Sequence, residues 1–525
     1  MELSESPRIR RALISVSDKI GLTDFARGLA DAGVEIFSTG GTRKHLENEK
    51  IPVRDISDYT GFPEMMDGRL KTLHPKVHGG ILCRHDNNND MKAMVEHGIQ
   101  SFELVIVNLY PFEATVAKEN VTEEEAISQI DIGGPTMVRA AAKNHKFVTI
   151  VTNPDQYSVV LEQIQTNGMT SLQLRRSLAK DAFTHTGAYD TAISKFFTER
   201  MEDGVFPENL TVSYHREAVL RYGENPHQQA ALYVEKKPVC ANVVKARQLN
   251  GKELSYNNLL DLDSALNIVR GIEKPAVAVL KHNNPCGAAV SEEISDALKK
   301  AMEGDPLSAF GSILGFNRTV DEASAEYLAT PGLFVEAVVA PEFCPKALEI
   351  LKTKPKWHAN VRLLQAGKLD SKPSRWGMRM VEGGMLLQEA DIEQDPEDQW
   401  QIVTEKKPEA AQMEDLRFAW EIVRHVKSNA ITLCKDGMLL GAGAGQMSRV
   451  DSVEIAIKKA GGRISGSVMG SDAFFPFPDS IEAISQYGVT AVIQPGGSKN
   501  DAVVIDACNK SGIAMIFTGR RHFKH

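Results

Sequence analysis

The sequence lacks the features that mark secreted and membrane-spanning proteins. Its 525 residues contain only six cysteines, and no two of these are close enough to form a CxxC pair. Scattered cysteines are typical of reduced thiols in a cytosolic protein. No uncharged run of about 18 apolar residues is present, so we expect no membrane-spanning helix. The first residues contain no apolar stretch long enough for a signal peptide, and we therefore expect a cytoplasmic location.

An excess of basic residues is also absent. The formal net charge is −9 and the isoelectric point is about 5.9. Nucleic-acid binding depends on a basic face that replaces counterions, so we expect no nucleic-acid partner. A small anionic substrate is still compatible with this charge, because a local group of Lys and Arg can dominate the field inside a cleft.

Residues 1–200 alternate short β-like runs with helix-like segments. A helix is predicted over 20–32, where apolar residues recur at helical spacing before Gly33, and another begins at Thr42. The predicted strands cover 12–17, 34–38, 103–112 and 146–154. Continuous Val and Ile runs separated by helices predict an α/β fold, with a parallel sheet covered on both faces.

The pattern loosens over 201–215, and we place a domain boundary there, between residues 1–200 and residues 201–525. A further break is predicted within 352–410, which is first rich in Lys and Pro and then acidic and exposed. The two parts on either side of it are predicted to be similar α/β subdomains, although no clean sequence repeat is visible. Strand-like segments cover 276–290, 308–316, 431–436 and 438–445, and helical segments cover 291–303, 413–427 and 451–460.

Two loops near the start of the chain have the composition of phosphate-binding loops. SVSDK (15–19) and STGGT (38–42) each follow a predicted strand and precede a helix. Hydroxyl groups, backbone N–H groups exposed at glycine and a helix N-terminus all favour an anion. Ordinary turns and helix caps are the alternative interpretation. The position of both loops at the ends of neighbouring strands favours phosphate, because open α/β sheets bind ligands there.

The segment GRLKTLHPKVHGG (68–80) is rich in cations. Arg69 and Lys71 are suited to hold an anion or a developing oxyanion, and a solvated basic loop is the alternative. His74 and His78 stand four residues apart, but the segment has neither the glutamate of an HExxH motif nor an obvious third ligand. We therefore predict no metal site.

Three further positions allow chemical interpretations. Asp131 either caps the helix that follows it or takes part in chemistry, and Lys143 in that helix is either solvent-exposed or functional. Lys281 and His282 follow a buried-type strand, before a turn predicted over 283–285. Such a pair suits acid–base chemistry with charge stabilisation, and a polar pair at a strand end is the alternative.

Two other motifs do not support the chemistry that they suggest. Cys286 has no Cys–His–acid context that would make it a nucleophile. In GAGAGQMSR (441–449), Gln446 stands where the dinucleotide fingerprint requires its last glycine, so nicotinamide binding is not expected.

Together these segments resemble one known family along the whole chain. It is the bifunctional family that combines phosphoribosylaminoimidazolecarboxamide formyltransferase with inosine monophosphate cyclohydrolase. The segments that carry the resemblance, in order, are SVSDK, STGGT, GFPEMMDGRLKTLHPKVHGGIL, NLYPF, IDIGGPTMVRAAAKNH, RYGENPHQ, VLKHNNPCG, VKSNAI, GAGAGQMSR, SDAFFPFPDS, QPGGS and RHFKH.

The resemblance implies a fold and a reaction for each part of the chain. Residues 1–200 are expected to form a methylglyoxal-synthase-like domain that closes the ring. Residues 201–525 are expected to form two cytidine-deaminase-like subdomains that transfer a formyl group from 10-formyltetrahydrofolate. The zinc-ligand pattern of deaminases is incomplete here, because Pro285–Cys286 lacks the second cysteine, so an enzyme without a metal requirement is expected. A homodimer is also implied.

The resemblance further implies the site residues. For ring closure, Lys71 or Lys143 would stabilise the oxyanion, while Tyr110 and Asp131 would handle protons. The nucleotide would be held by Ser15, Ser17, Asp18, Lys19, Ser38, Thr39, Gly40, Gly41, Arg69 and Thr72. For formyl transfer, His282 would accept a proton and Lys281 would stabilise an oxyanion. The substrate and folate contacts would be Arg221, Tyr222, Phe310, Gly311, Glu336, Asn429, Arg449, Phe474, Asp479, Arg521 and Phe523, with Glu336 standing where some relatives have Asp.

Two other functions compete with this interpretation. The first alternative is that residues 1–200 form a regulatory nucleotide sensor and not a catalyst. A sensor needs the phosphate loops, but it does not need Lys71, Tyr110, Asp131 and Lys143 together. The second part would alternatively be a deaminase or a folate-binding scaffold. The incomplete zinc pattern argues against the deaminase, and the Lys281–His282 pair argues against the scaffold.

Overall fold

The computed structural model describes residues 6–66, 70–118, 120–198, 200, 206–235, 240–370, 373–374 and 376–525. The chain divides into two compact units, Met1–Ser213 and Tyr214–His525. Each unit has its own core of buried apolar side chains. None of the helices in the described ranges combines the length and the apolar character needed to cross a bilayer.

The first unit is built on a five-stranded sheet in which every pairing is parallel, as the Val and Ile runs predicted. The strand order is β3-β2-β1-β4-β5. The strands are β1 (Arg11–Val16), β2 (Glu35–Ser38), β3 (Arg54–Asp55), β4 (Leu104–Asn108) and β5 (Thr149–Val151). The helices are α1 (Leu22–Asp31), α2 (Gly40–Asn48), α3 (Ile56–Thr60), α4 (Pro75–Leu82), α5 (Asn88–Glu96), α6 (Phe112–Val116), α7 (Glu123–Ser128), α8 (Gly133–Lys143), α9 (Tyr157–Asn167) and α10 (Leu172–Thr198).

The order of these strands creates a crevice at one point of the sheet. The chain passes from β1 outward to β2 and β3, and then returns to the other side of β1 to form β4. Between β1 and β4 the connections leave in opposite directions, and open α/β sheets bind ligands at the carboxyl ends of such strands. Ser17, Asp18 and Lys19 of the SVSDK segment follow β1, and Leu109 and Tyr110 follow β4. The switch point between β1 and β4 therefore lies next to residues of the SVSDK and NLYPF segments.

The second unit is built on a mixed sheet of twelve strands, in the order β16-β21-β20-β19-β17-β18-β10-β9-β11-β12-β13-β8. Two further hairpins, β6–β7 and β14–β15, form separate two-stranded sheets. The strands are β6 (His215–Leu220), β7 (Ala230–Val234), β8 (Arg247–Asn250), β9 (Ala276–Lys281), β10 (Asn284–Val290), β11 (Ser312–Phe316), β12 (Val335–Ala340), β13 (Arg362–Gln365), β14 (Trp376–Val381), β15 (Gly384–Glu389), β16 (Gln401–Ile402), β17 (Ile431–Lys435), β18 (Met438–Gly443), β19 (Val468–Ser471), β20 (Ala491–Gln494) and β21 (Ala514–Phe517). The helices are α11 (Tyr256–Arg270), α12 (Ile294–Gly304), α13 (Pro306–Ala309), α14 (Glu322–Leu328), α15 (Pro345–Thr353), α16 (Ala410–Val423), α17 (Arg449–Ala460), α18 (Asp479–Ser485) and α19 (Asp501–Lys510).

The twelve-stranded sheet consists of two halves with the same topology. In each half an edge strand leads through a helix (α11 or α16) into an antiparallel hairpin (β9–β10 or β17–β18). Three strands follow. The first of the three (β11 or β19) pairs antiparallel with the first strand of the hairpin (β9 or β17), and the next two run parallel to β11 or β19. The halves join where β10 pairs with β18. The two halves share their topology, as expected for two similar α/β subdomains, although their sequences show no clean repeat.

The burial pattern explains why helices cover both faces of this sheet. In β9, Ala276, Ala278 and Leu280 face the core that contains α11 and α16. Val277 and Val279 face the opposite core, which contains α12, α14 and α15. Because alternate residues of a strand point to opposite faces, an apolar run buries both sets.

The structure corrects the turn predicted after the first of these strands. The turn consists of His282 and Asn283, and Asn284 already pairs with Lys281 in the hairpin. Pro285 therefore lies within β10, where the pairing register shifts between Pro285 and Gly287. A bulge is one of the few places in a sheet where the missing N–H of proline is tolerated.

The pairing between the two halves determines what meets at each edge of the sheet. Ala289 of β10 pairs with Met438 in antiparallel orientation, so the start of β10 lies beside the end of β18. Ile431 at the start of β17 pairs with both Gly443 and Ser471. The tip of hairpin β9–β10 and the carboxyl ends of β19, β20 and β21 therefore share one edge of the sheet.

Candidate active sites

The first phosphate-loop candidate is held by a residue that the sequence analysis missed. Asn108 Oδ1, at the end of β4, accepts hydrogen bonds from the backbone N–H groups of Ser17 (2.6 Å) and Asp18 (3.0 Å). Asn108 Nδ2 donates to the Asp18 carbonyl (3.0 Å), and Lys19 Nζ donates to the Ser17 carbonyl (3.3 Å). Ser15 belongs to β1 itself. The sequence does contain a signal for Asn108, because it is a polar residue at the end of an apolar strand. The other predicted site residues also lie at the ends of neighbouring strands.

The second loop opens helix α2. Ser38 is buried, and its hydroxyl donates to the Ile14 carbonyl (2.7 Å), so it is used within the sheet. Thr39 is the N-cap residue and makes no side-chain cap hydrogen bond. Gly40 has a positive φ of 45°, and a β-carbon there would lie 3.5 Å from Lys71 Nζ. Gly41 faces open space, so the backbone at the start of α2 is accessible beside a lysine ammonium.

Asp131 links this lysine to the loop after β4. Its Oδ1 accepts a hydrogen bond from the Gly134 N–H (2.8 Å) in the first turn of α8, so the capping interpretation holds. Burial raises the pKa of Asp131, while backbone hydrogen bonds from Gly134 and Tyr110 and the charge of Lys71 oppose this rise. Tyr189 Oη accepts from the Asp131 N–H (2.8 Å). A partly buried carboxyl therefore lies close to Lys71 and to the backbone of Tyr110.

The remaining predicted residues of this unit divide into two groups. Thr72 is buried, and its Oγ1 lies 2.9 Å from the position of a β-carbon at Gly133, near the start of α8. Lys143 is the last residue of α8 and is exposed, and ten residues of helix separate it from Gly133 by ~15 Å. Lys143 thus lies apart from Asp131. Arg69 lies outside the described residues.

Lys143 lines a separate cavity of about 660 Å³. The cavity is bordered by α4, α8 and α10 and includes His78, Arg139, His145 and Phe183. The Arg139 guanidinium lies over the Phe183 ring, 5.5 Å from its centroid. Burial lowers the pKa of His78. In the described ranges, no three His, Cys, Asp or Glu side chains form a group that could hold a metal ion.

In the second unit, Lys281 and His282 lie at the tip of hairpin β9–β10. Lys281 is the last residue of β9, and its Nζ donates to the Phe310 carbonyl (3.0 Å). His282 and Asn283 form the turn with φ of 53° and 61°. Burial raises the pKa of the Cys286 thiol to about 12, and Sγ bonds the Val279 carbonyl (3.4 Å). Cys286 is therefore a protonated thiol within the hairpin.

An aromatic wall borders this tip. The Phe310 and Phe334 rings lie 5.5 Å apart, and Phe310 remains more than half exposed. Gly311 has φ of 71° and donates its N–H to the Phe334 carbonyl (2.8 Å). Glu336, at the start of β12, forms an ion pair with Arg362 (2.6 Å). These residues lie at the same edge of the sheet as Lys281, because β11 to β13 begin there.

Arg449 is an anchor inside the second half of the sheet. It is buried, and its guanidinium contacts Asp472 Oδ1 (2.5 Å), Ser471 Oγ (2.9 Å) and Asn429 Oδ1 (2.8 Å). The Asn429 amide donates in turn to the Gln446 carbonyl (2.9 Å). The arginine thus fixes Asn429 and the glycine-rich segment that ends β18.

The C-terminal tail lies along the same edge. Its Arg521 guanidinium lies over the Phe523 ring, 4.2 Å from the centroid, and both side chains are exposed. The Lys524 backbone N–H donates to Ser428 Oγ (3.1 Å). The backbone N–H of Lys427, the residue before Ser428, donates to Asn284 Oδ1 (3.1 Å). This series of contacts connects the tail to the hairpin that carries Lys281 and His282.

The other predicted contacts of this unit are surface positions. Phe474 follows β19 and is partly exposed, and Asp479 begins α18 with Oδ1 accepting from the Ser480 N–H (2.7 Å). Arg221 and Tyr222 follow β6, and the guanidinium lies 5.7 Å from the ring centroid. Their loop contacts α11, since Asn257 Nδ2 donates to the Glu224 carbonyl (3.2 Å).

His522 fixes this tail and was missed by the sequence analysis. Its Nδ1 lies 2.6 Å from Asp391 Oδ2 and its Nε2 lies 2.8 Å from Asp395 Oδ2. Trp420 Nε1 also donates to Asp395 (2.8 Å). Burial alone would lower the pKa of His522, but the two carboxylates outweigh it and raise the pKa to about 9. Both aspartates belong to the acidic segment predicted to be exposed, and Asp395 is in fact buried.

These folds define a protein with two α/β parts, one with two predicted phosphate loops at the ends of parallel strands and one with a lysine–histidine pair at a hairpin tip. A family profile described as "AICARFT/IMPCHase bienzyme" matches residues 141–459, and one described as "MGS-like domain" matches residues 21–136. The chain belongs to the AICARFT/IMPCHase bienzyme family. It is a bifunctional enzyme of purine biosynthesis, with formyltransferase and cyclohydrolase activities.

Full-length relatives agree with this assignment. The chain is 58% identical over 523 residues to the "Bifunctional purine biosynthesis protein PurH" of Rhodopirellula baltica, covering 100% of both chains. It is 50% identical over 517 residues to the protein of the same description from Thermoanaerobacter sp., and 49% identical over 516 residues to that from Bacillus cereus. Those two alignments cover 98% of this chain and 100% of each relative.

Proposed function

We propose that residues 201–525 transfer a formyl group from 10-formyltetrahydrofolate to the 5-amino group of the aminoimidazole carboxamide ribonucleotide, and that residues 1–200 close the ring to inosine monophosphate. The observation that carries the first assignment is the tip of hairpin β9–β10. There an ammonium and an imidazole follow each other in sequence, beside an exposed aromatic ring. Neither reaction is proposed to require a metal, and the protein is proposed to act in the cytoplasm.

Formyl transfer needs a base and an oxyanion stabiliser at one place. The substrate amine is a weak nucleophile, because its lone pair is delocalised into the imidazole and the carboxamide. As its nitrogen attacks the formyl carbon, His282 accepts the N–H proton and Lys281 stabilises the tetrahedral oxyanion. Collapse of that intermediate breaks the bond to the folate nitrogen, which leaves with a proton. Phe310 and Phe334 offer apolar surface for the folate ring system.

Ring closure is intramolecular, so orientation provides much of the rate. The carboxamide nitrogen attacks the formyl carbon and loses one proton, and the resulting oxyanion is protonated to a hydroxyl. That hydroxyl takes up a second proton and leaves as water, while the formamido nitrogen loses its proton and the ring C=N bond forms. Lys71 is suited to stabilise the oxyanion, while Asp131 and Tyr110 handle protons. The start of α2, next to Lys71, is suited to bind the phosphate. Lys143 is included in the proposal only because it matches a catalytic position of the family. The cavity that it lines does not include Asp131.

The division of labour is tested by substitutions in each unit. Lys281→Ala should stop formylation of the ribonucleotide but leave closure of supplied formyl intermediate intact. Lys71→Ala and Lys143→Ala should do the reverse. In purified protein, formylation is measured by the conversion of 10-formyltetrahydrofolate to tetrahydrofolate, and closure is measured by the appearance of inosine monophosphate from supplied formyl intermediate. Equal damage to both steps by each substitution in folded protein would contradict the proposal.

We also propose a homodimer. The hairpin β14–β15 pairs with no other strand in the described ranges, and it exposes Met378, Met380, Val381 and Leu386. A two-stranded hairpin alone is at best marginally stable in water, so apolar contacts with a second copy would stabilise it. Sedimentation should give a dimer for the wild-type chain and a monomer for Met380→Asp/Leu386→Asp. A wild-type monomer at micromolar concentration would refute the proposal.

A further inference from the structure

The turn that carries His282 has an unfavourable sequence for its conformation. His282 and Asn283 both have left-handed φ values, 53° and 61°. Turns of this kind match the twist of a hairpin and favour Asn-Gly or Asp-Gly. A residue with a β-carbon is strained in this region, although asparagine tolerates it better than most. A histidine at the first turn position therefore needs support from its surroundings.

That support comes from Asp261 in α11. Its Oδ1 accepts a hydrogen bond from the Asn283 backbone N–H (2.6 Å). The Asn283 side-chain amide, oriented to satisfy its neighbours, also directs its nitrogen to Asp261 Oδ1 (3.2 Å) and the Leu260 carbonyl (3.0 Å). Burial raises the pKa of Asp261, while hydrogen bonds from the Asn283 and His282 backbones and the charge of His282 oppose the rise. The carboxyl thus contacts both residues of the turn.

The second half of the sheet repeats this arrangement without the histidine. There Asp436 and Gly437 form the turn, with φ of 53° and 67°. Asp415 accepts hydrogen bonds from both N–H groups, at 3.0 and 2.8 Å. Asp415 is the sixth residue of α16, as Asp261 is of α11. An Asp-Gly turn has the favoured sequence, so the same helix carboxylate supports a turn that is less dependent on it.

The lysine before each turn is also equivalent. Lys435 Nζ donates to the Ser465 carbonyl (3.0 Å), as Lys281 Nζ donates to the Phe310 carbonyl at the same distance. The second half therefore retains the hairpin, the lysine and the helix carboxylate but has Asp436 in place of the proposed base. It provides an internal control for the first half.

We infer that Asp261 is a positioning residue for formyl transfer, which holds the His282–Asn283 turn and thereby fixes His282 relative to Lys281. The inference rests on the proposed roles of Lys281 and His282. Asp261 acts through the backbone of the turn and does not take part in the proton transfer. Its removal should change how often His282 occupies the reactive geometry, and not how well the substrates bind.

The test compares steady-state formyl transfer in four variants of the full chain. Asp261→Ala should lower kcat about 10- to 100-fold, the cost of a small misplacement of a catalytic group, with KM for both substrates unchanged. Asp261→Asn keeps an acceptor oxygen and should recover part of the loss. Asp261→Ala/Asn283→Gly should also recover part, because glycine favours the left-handed turn. Asp415→Ala, the matched control, should keep the wild-type kcat.

Three outcomes would overturn the inference. They are an unchanged kcat in Asp261→Ala, a rise in KM without a fall in kcat, and an equal loss in Asp415→Ala, which would indicate a general effect on the sheet. Closure of supplied formyl intermediate serves as the check that each variant is intact elsewhere. Full formyl transfer by both Lys281→Ala and His282→Ala would instead refute the proposed function, whereas loss in those two variants with wild-type kcat in Asp261→Ala would refute the positioning role alone.

Discussion

Replacing His522 should remove a pH-dependent part of the stability of the second unit. The folded pKa of about 9 lies above the ordinary value of 6.5, since Asp391 and Asp395 stabilise the charged ring. At about 1.4 kcal/mol per unit, this difference corresponds to roughly 3 kcal/mol. A raised histidine pKa contributes stability that is fully present below pH 6.5 and is lost as the pH rises through about 9.

The assay is urea unfolding followed by tryptophan fluorescence, at intervals between pH 6.5 and 9.5. All four tryptophans, Trp357, Trp376, Trp400 and Trp420, fall in the second unit, so the signal reports that unit alone. His522→Gln should be less stable than the wild type at pH 6.5, and the difference should shrink by roughly 3 kcal/mol toward pH 9.5.

A matched control is His358→Gln, because His358 Nδ1 contacts the Pro355 carbonyl and not a carboxylate. This variant should keep the wild-type dependence on pH. The charged groups around His522 are the carboxylates of Asp391, Asp395 and Glu421 and the guanidinium groups of Arg424 and Arg520, and these carboxylates and guanidinium groups keep their charge between the two pH values. A difference between wild type and His522→Gln that stays constant from pH 6.5 to 9.5 would refute the reasoning.

Three further predictions concern single positions. Cys286, whose thiol pKa is raised to about 12, should resist iodoacetamide at pH 8 in native protein, and peptide mapping that finds it modified as fast as in urea would contradict this. Gly287→Ala places a β-carbon 1.9 Å from the Ala301 carbonyl oxygen and should cost about 1–3 kcal/mol in urea unfolding, whereas Gly462→Ala, with no neighbour within 4 Å, should be neutral. Gly40→Ala should raise KM for ring closure, because it strains the loop next to Lys71, whereas Gly61→Ala, equally strained but in open space, should leave KM unchanged.

The sequence predicts the parallel sheet of the first unit because its strands are continuous apolar runs that no helix pattern matches. It does not predict which polar groups face inward. Ser38 and Arg449 have the residue types of ligand contacts, yet Ser38 bonds the Ile14 carbonyl and Arg449 pairs with Asp472. Residue type indicates what a side chain is able to bind, whereas its partner depends on neighbours distant in the chain.

Long-range pairs account for most of what the sequence analysis missed. His522 contacts Asp391 and Asp395 across 131 and 127 residues, and no local pattern indicates such a contact. The separation of Lys143 from Asp131 could have been predicted from the sequence, because Lys143 lies ten residues after Gly133 in one helix and a helix has a known rise per residue. The equivalence of Asp261 and Asp415 required the topology, since the two halves share their strand order and not their residues.

The junction of β10 with β18 has a consequence for any attempt to divide the second unit. In space, the two repeats meet where β10 pairs with β18, in the middle of one continuous sheet. A fragment ending near residue 400 would expose β10 as an unpaired edge, and a fragment beginning there would expose β18. Exposed apolar edges recruit strands from other chains. Fragments of either half should therefore aggregate or pair with each other, so that fragment complementation would restore the enzyme when both are produced together.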